Sequence, residues 1–296
     1  MSAARSSYAR VHIYGWLLVL PAAVLLGTFT HYPVVATLLE SFHSTPKGSR
    51  PAAFVGLDNY HAMLQDPVFW RALENNAIYA LGTIPASIAL ALLMALWVNG
   101  KIQGRGALRL AYFTPTVLPM IAVANIWLFF YTPDYGLLDQ LRHLFGFAAH
   151  NWLGDPATAL PCLMVVTIWK ESGFFMIFYL AALQQIPPVL GEAAAMEGAG
   201  RLYFFRRVTF PLLMPTTLFI LVNAVINAFR VVDHVVVMTR GGPDNATELL
   251  LFYIYEIAFK YWDTAYGAAL TMVLLVILAG SALGQFLYFD RRVHYR

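Results

Sequence analysis

Apolar residues run in six long stretches, roughly 13–35, 76–98, 108–131, 160–182, 212–231 and 267–288, separated by polar segments rich in Pro, Gly, Asp and Asn. A helix needs about 20 predominantly apolar residues to cross roughly 30 Å of hydrocarbon, and each stretch reaches that length. The pattern therefore predicts an all-α integral membrane protein with six transmembrane helices across 13–288 and short tails at 1–12 and 289–296. No internal repeat or low-complexity tract interrupts it. Pro21, Pro85, Pro115, Pro119 and Pro215 fall inside the stretches. Each removes a backbone donor and bends its helix. A membrane tolerates this where a neighbouring helix or a cavity satisfies the freed carbonyls. Irregular packing and a solute path are both open as readings, and Asn125, Asn223 and Asn227 add weight to the second.

Composition agrees with the bilayer as solvent. The chain is 59% hydrophobic and 12% charged, against about 45–50% and 25% in soluble domains. Such a surface would aggregate in water. The single cysteine, Cys162, excludes an intrachain disulfide and reads as a small buried hydrophobe. A net charge of +3 spread over segment ends gives no nucleic-acid stripe. With a cytoplasmic N-terminus, eleven Lys and Arg fall in the short inside segments and seven in the long outside ones, where most acids also lie. Positive-inside bias thus predicts both termini in the cytoplasm. Arg5 and Arg10 precede the first stretch as in a signal peptide, but the stretch is too long and lacks a small-x-small cleavage site, so it reads as a retained helix.

The polar gap between the fourth and fifth stretches, 185–211, differs from the rest. Pro187 and Pro188 suit a helix's first turn. Glu192 is expected near the positive end of that helix, where a carboxylate gains roughly 0.3–1 kcal/mol. Ala193, Ala194 and Ala195 are strong helix formers without bulk. Gly198 and Gly200 would end the helix or turn the chain. Arg201, Tyr203, Phe204, Phe205, Arg206 and Arg207 form a second amphipathic stretch, and Pro211 marks re-entry to the membrane. The residues alone permit two readings: a helix-turn-helix docked in a groove of a cytoplasmic partner, or a helix lying on the lipid headgroups.

Glu192-Ala193-Ala194, Gly198 after three intervening residues, then Val208, Phe210 and Pro211 resemble the signature of ABC-importer permease subunits. Phe210 replaces the usual Leu. Leu183-Gln184-Gln185-Ile186-Pro187, Phe54-Val55-Gly56-Leu57-Asp58-Asn59-Tyr60 and Thr239-Arg240-Gly241-Gly242-Pro243 are similar to the sugar and glycerol-3-phosphate branch, in the same order along the chain. The resemblance implies a type I importer permease fold and a permease that pairs with a second one. It also implies two ATP-binding subunits carrying ATP and Mg, and a periplasmic or lipoprotein solute-binding protein. Glu192, Ala193, Ala194, Gly198 and Pro211 would then couple the chain to an ATPase. Gly241, Gly242 and Pro243 would lie near an external gate. The implied solute is a sugar, glycoside, polyol or glycerol-3-phosphate-like molecule.

The chain itself offers no ATP site. A Walker A loop needs Gly-Lys followed by Ser or Thr, and the four lysines precede Gly48, Ile102, Glu171 and Tyr261. No metal-ligand spacing and no cofactor of its own are expected. A secondary, ion-coupled transporter is the alternative, but it predicts inverted repeats and buried acids, of which only Glu171 is present. Lys170 and Glu171 are the charges deepest in a stretch, each costing about 2.5–3.5 kcal/mol at a bilayer centre. They read either as cavity or gate residues or as an inter-helix ion pair, with Gly173 beside them allowing close helix contact or unwinding. Asn223, Asn227 and Arg230 share one helical face. That face reads as a solute path, with Arg230 able to attract a phosphate, or as a packing surface against the partner permease.

Overall fold

The computed structural model describes residues 2–100 and 102–290, with side chains described from Tyr14 to Leu287. Lys101, Arg291, Arg292 and Arg296, which contributed to the charge count, lie outside the described residues, as does the tail beyond Asp290. In chain order the helices are α1 (Ser2–Leu26), α2 (Tyr32–Glu40), α3 (Asp58–Gln65), α4 (Pro67–Asn99), α5 (Arg105–Val117), α6 (Met120–Tyr131) and α7 (Leu137–Leu144). They continue with α8 (Pro156–Gln185), α9 (Pro188–Met196), α10 (Arg201–Phe204), α11 (Phe210–Phe229), α12 (Asp233–Met238), α13 (Leu250–Tyr255) and α14 (Thr264–Asp290). Among the described residues, five helical segments are long and apolar enough to span a bilayer: Tyr14–Glu40, Pro67–Asn99, Pro156–Gln185, Arg201–Met238 and Thr264–Leu287. A sixth span exists only if α5 and α6 are counted together, and they meet at 102°. The stretch 108–131 is therefore a broken span. Its break falls at Leu118-Pro119, because Pro119 has no amide to continue the ladder of α5.

The chain divides into two compact units. The first contains Met1–Gln65 and Tyr255–Val273. There α1 passes into α2 through a π-helical turn at Gly27–His31, directly upstream of Pro33. A second π turn, Phe205–Thr209, precedes Pro211 in the same way. A wide turn ahead of a proline relieves the clash of its ring with the preceding turn. The Phe54–Tyr60 segment acquires a structural reason: Asn59 Nδ2 donates to the carbonyls of Ser41 and His43, each at 2.8 Å, and Tyr60 Oη meets Ser41 Oγ at 2.8 Å. These bonds tie α3 to the chain leaving α2. Thr45 and Asp263 hydrogen-bond further along the same unit.

The second unit contains Asp66–Ile254 and Leu274–Arg296. Its centre is the long pairing of α4 with α8. The reason is legible in α4, where Ala72, Asn76, Ala80, Thr83, Ser87, Ala91 and Ala95 recur every three or four residues and are all buried. Between helices in lipid, association comes from close van der Waals packing rather than from the hydrophobic effect, so a stripe of small residues marks the contact face. Tyr179, Phe175, Met176 and Leu163 of α8 fill the space against it. Cys162 is a free, buried member of this core.

Gly173 explains how α5 reaches α8. A Cβ there would lie 2.1 Å from Tyr112 O, so the two backbones touch only because Gly173 has no side chain. The helix is not unwound at this point; α8 is continuous from Pro156 to Gln185. Between α6 and α8, Asp139 in the first turn of α7 is a fully buried hub of the connection. It accepts the amides of Asp134 and His150 at 3.0 Å each and the Trp152 indole N–H at 2.8 Å. Burial pushes its carboxyl upward, but these hydrogen bonds and the Arg142 charge outweigh it and hold the group below the usual carboxylate range.

Candidate functional site

Two places gather the residues singled out by sequence. The first is the connection after α8. Ile186 ends that helix, Pro187 caps the next, and Pro188 occupies the first turn of α9. Glu192 is the fifth residue of α9, past the first turn, so the expected stabilisation by the helix's positive end does not reach it well. The end of α9 is a complete Schellman motif: Ala199 N–H donates to Ala194 O at 2.9 Å, and Gly198 N–H to Ala195 O at 3.1 Å. Gly198 takes φ +74°, the left-handed conformation this motif requires. Gly200 keeps negative φ and instead caps α10. From Arg201 the chain is helical through the π turn and Pro211 into α11, so the second amphipathic stretch is the beginning of a span, and Pro211 lies within it.

No residue of α9 is buried. Glu192, Ala193 and Gly198 are exposed, and a Cβ built on Gly198 meets nothing within 4 Å. The small residues of this helix therefore do not serve close packing inside the chain. Their surface is available to something else.

The second place is a cavity of about 320 Å³ midway along α8, walled by α6, α8, α11 and α12. Lys170, Glu171, Asn227 and Arg230 all line it. Lys170 and Glu171 do not form an ion pair. The ammonium of Lys170 donates to Pro115 O at 2.9 Å, Thr116 O at 3.3 Å and Leu118 O at 2.5 Å. Glu171 Oε2 accepts from Asn227 Nδ2 at 3.0 Å. Adjacent positions on a helix point about 100° apart, so the two charges serve different neighbours. Asn223 is not brought to this cavity. Its amide donates to Phe219 O at 2.7 Å, one turn back on its own helix. Arg230, exposed at the end of α11, has no ion-pair partner among the described residues.

Sequence reasoning missed part of the cavity wall. Tyr79 Oη bonds Thr167 Oγ1 at 2.5 Å and His234 Nε2 at 3.1 Å, joining α4, α8 and α12 through a buried polar triad. Thr167 and His234 line the cavity. The available signal was His234 itself, a polar ring beside Asp233 and flanked on both sides by valines.

The segment Gly241-Gly242-Pro243 forms a tight loop after α12, with a cis bond before Pro243. Gly241 has φ +80°, a conformation that favours glycine, and a Cβ there would sit 2.1 Å from Glu248 Oε2, so that side chain would have to shift to admit one. Two asparagines of α4 secure the loop: Asn75 Nδ2 donates to Asn245 O at 2.8 Å, and Asn76 Oδ1 accepts from Leu250 N at 3.2 Å.

Against known proteins, residues 87–295 match the family described as "Binding-protein-dependent transport system inner membrane component". The sulfoquinovosyl glycerol transport system permease protein SmoG of Agrobacterium fabrum is 35% identical over 262 residues, covering 88% of this chain and 85% of that protein. The sn-glycerol-3-phosphate transport system permease protein UgpA of the same organism is 32% identical over 284 residues, covering 96% and 97%. A chain of a bacterial ABC transporter involved in the import of the acidic polysaccharide alginate superposes with a TM-score of 0.86 at 22% identity, over 99% of this chain and 100% of that one, which shows a shared fold. The exposed helix bearing Glu192-Ala193-Ala194, the broken polar-lined spans and these matches lead to one assignment: the chain belongs to the binding-protein-dependent transport system inner membrane components, the multi-pass permease subunits of ABC importers.

Proposed function

We propose that this permease passes a sugar, glycoside, polyol or glycerol-3-phosphate-like solute into the cytoplasm, and that α9 is the handle by which an ATPase drives it. The observation that carries the coupling role is the exposure of α9, whose small residues pack against nothing buried in the chain yet end in a fully formed Schellman turn. A rigid, small-faced helix tip suits insertion into a groove of a nucleotide-binding subunit. Glu192, Ala193, Ala194 and Gly198 form the tip, and Pro211 belongs to the helix that carries its motion into the membrane.

In this reading the chain holds no cofactor. ATP and Mg sit in two partner ATPases, a second permease completes the pathway, and a binding protein delivers the solute from outside. Both termini face the cytoplasm, on the side of α9. ATPase closure pulls α9, and α11, continuous with α10 just beyond it, tilts against α8 and opens the cavity at Lys170, Glu171 and Asn227 to the opposite face. Asn227, Arg230 and Thr167 supply planar and hydroxyl groups matched to a hydroxylated solute. Gly241, Gly242 and Pro243 close the outer end.

The test is Gly198→Asp. The substitution meets no neighbour in this chain, but it places a β-carbon in the left-handed region, costing roughly 1–2 kcal/mol, and a negative charge at a helix C-terminus, costing roughly 0.3–1 kcal/mol. Assembly should persist, while uptake across a panel of sugars, glycosides, polyols and glycerol-3-phosphate falls in a complemented deletion strain and ATP hydrolysis loses its link to transport. Full-rate transport in this variant would show that α9 is not the coupling element.

A further inference from the structure

We infer that Lys170 is a positioning residue: it substitutes for the amides missing at the α5–α6 break and thereby holds the first turn of α6 as a wall of the cavity. The inference rests on the cavity being the solute path. Pro119 lacks the N–H that would have bonded Pro115 O four residues back. The 102° bend also withdraws the following amides from α5's last carbonyls. A lysine ammonium has three N–H donors, and Lys170 directs them at three carbonyls of this break, those of Pro115, Thr116 and Leu118. Met120, the first residue of α6, lines the same cavity as Lys170. Gly173, one turn along α8, brings α5 within backbone contact, which sets the reach of the lysine. With its donors committed to the backbone, Lys170 shapes the wall rather than binding the solute. Glu171 and Asn227, paired with each other at 3.0 Å, remain facing the space.

The experiment uses the whole importer, co-expressed with its partner subunits and placed in lipid nanodiscs, in a Cys162→Ser background. Spin labels at Leu110→Cys and Phe129→Cys, exposed positions on α5 and α6, report the break by pulsed dipolar spectroscopy. In a second series Met120→Cys reports the cavity wall through its rate of modification by methanethiosulfonate ethylsulfonate. Lys170→Met is expected to broaden the label distance and to change the modification rate about tenfold. Lys170→Arg, which retains donors and charge, should restore both. Lys170→Gln, with two donors and no charge, should fall between, and it carries the measurement should Lys170→Met fail to assemble. A wild-type distance distribution in both neutral variants overturns the proposal, as does broadening that Lys170→Arg does not rescue. Failure of the solute-path reading is seen separately, as unaltered uptake in Asn227→Ala with the label distance intact.

Discussion

Gly173→Ala tests the helix contact on which the cavity depends. The added methyl carbon would lie 2.1 Å from Tyr112 O and 3.3 Å from Thr116 Oγ1. A carbon–oxygen contact relaxes at about 3.3–3.6 Å, so α5 must withdraw by roughly 1.2 Å or α8 must bend. The obstacle is backbone, which cannot rotate aside. Overpacking of this kind costs about 1–3 kcal/mol, set against roughly 1 kcal/mol recovered from replacing a helical glycine with alanine. Because the obstacle is rigid backbone, the upper end of that cost applies, and the net expectation is destabilisation of about 2 kcal/mol. Gly82→Ala is the matched control, because its methyl meets only the flexible Met164 thioether, with Sδ at 2.9 Å. There the side chain yields and helix propensity decides, so the change is neutral or mildly stabilising. Fluorescence-detected size-exclusion chromatography after heating reads both. Taking about 2–4 °C per kcal/mol for a chain approaching this size, Gly173→Ala should lower the midpoint by roughly 5 °C while Gly82→Ala holds it. Equal midpoints for wild type and both variants would refute the claim that α5 and α8 meet backbone to backbone.

Asn227→Ala removes the donor that holds Glu171, and Arg230→Ala removes a charge without an ion-pair partner among the described residues; each should slow uptake severalfold while co-purification with the partner subunits is unchanged. Asp139 yields a pH dependence with a definite sign. Its carboxyl is depressed in the fold, so its stabilisation is present above the ordinary carboxylate range near 4 and is lost as pH falls through the lower folded value. The Asp134 and His150 amides, compared with their intrinsic exchange rates at each pH, should therefore be strongly protected at pH 6 and lose that protection only in acid, and Asp139→Asn should lower it already at pH 6.

Much of the membrane architecture was legible because bilayer crossing imposes a length and a polarity that any chain must display. The turn after α9 was legible too, since a Gly at that spacing has one main conformational use. The site was less so. Lys170 and Glu171 stood out as buried charges, open either as cavity residues or as an inter-helix ion pair, and only the bend at Pro119 supplied the carbonyls that claim the lysine. Asn223 shares a helical face with Asn227 but bonds its own backbone. His234 went unnoticed because its partners, Tyr79 and Thr167, lie 155 and 67 residues away in the chain.

The sequence by itself determined the solvent of this protein, the six apolar stretches and the short helix that carries Glu192-Ala193-Ala194, because each depends on local composition, periodicity or a short motif. Only the tertiary structure decided that one stretch is broken, which carbonyls the break leaves unpaired, and which polar groups close around the cavity. Those outcomes depend on where freed donors and acceptors meet across helices, and a buried polar group takes whichever partner the packing brings within about 3 Å.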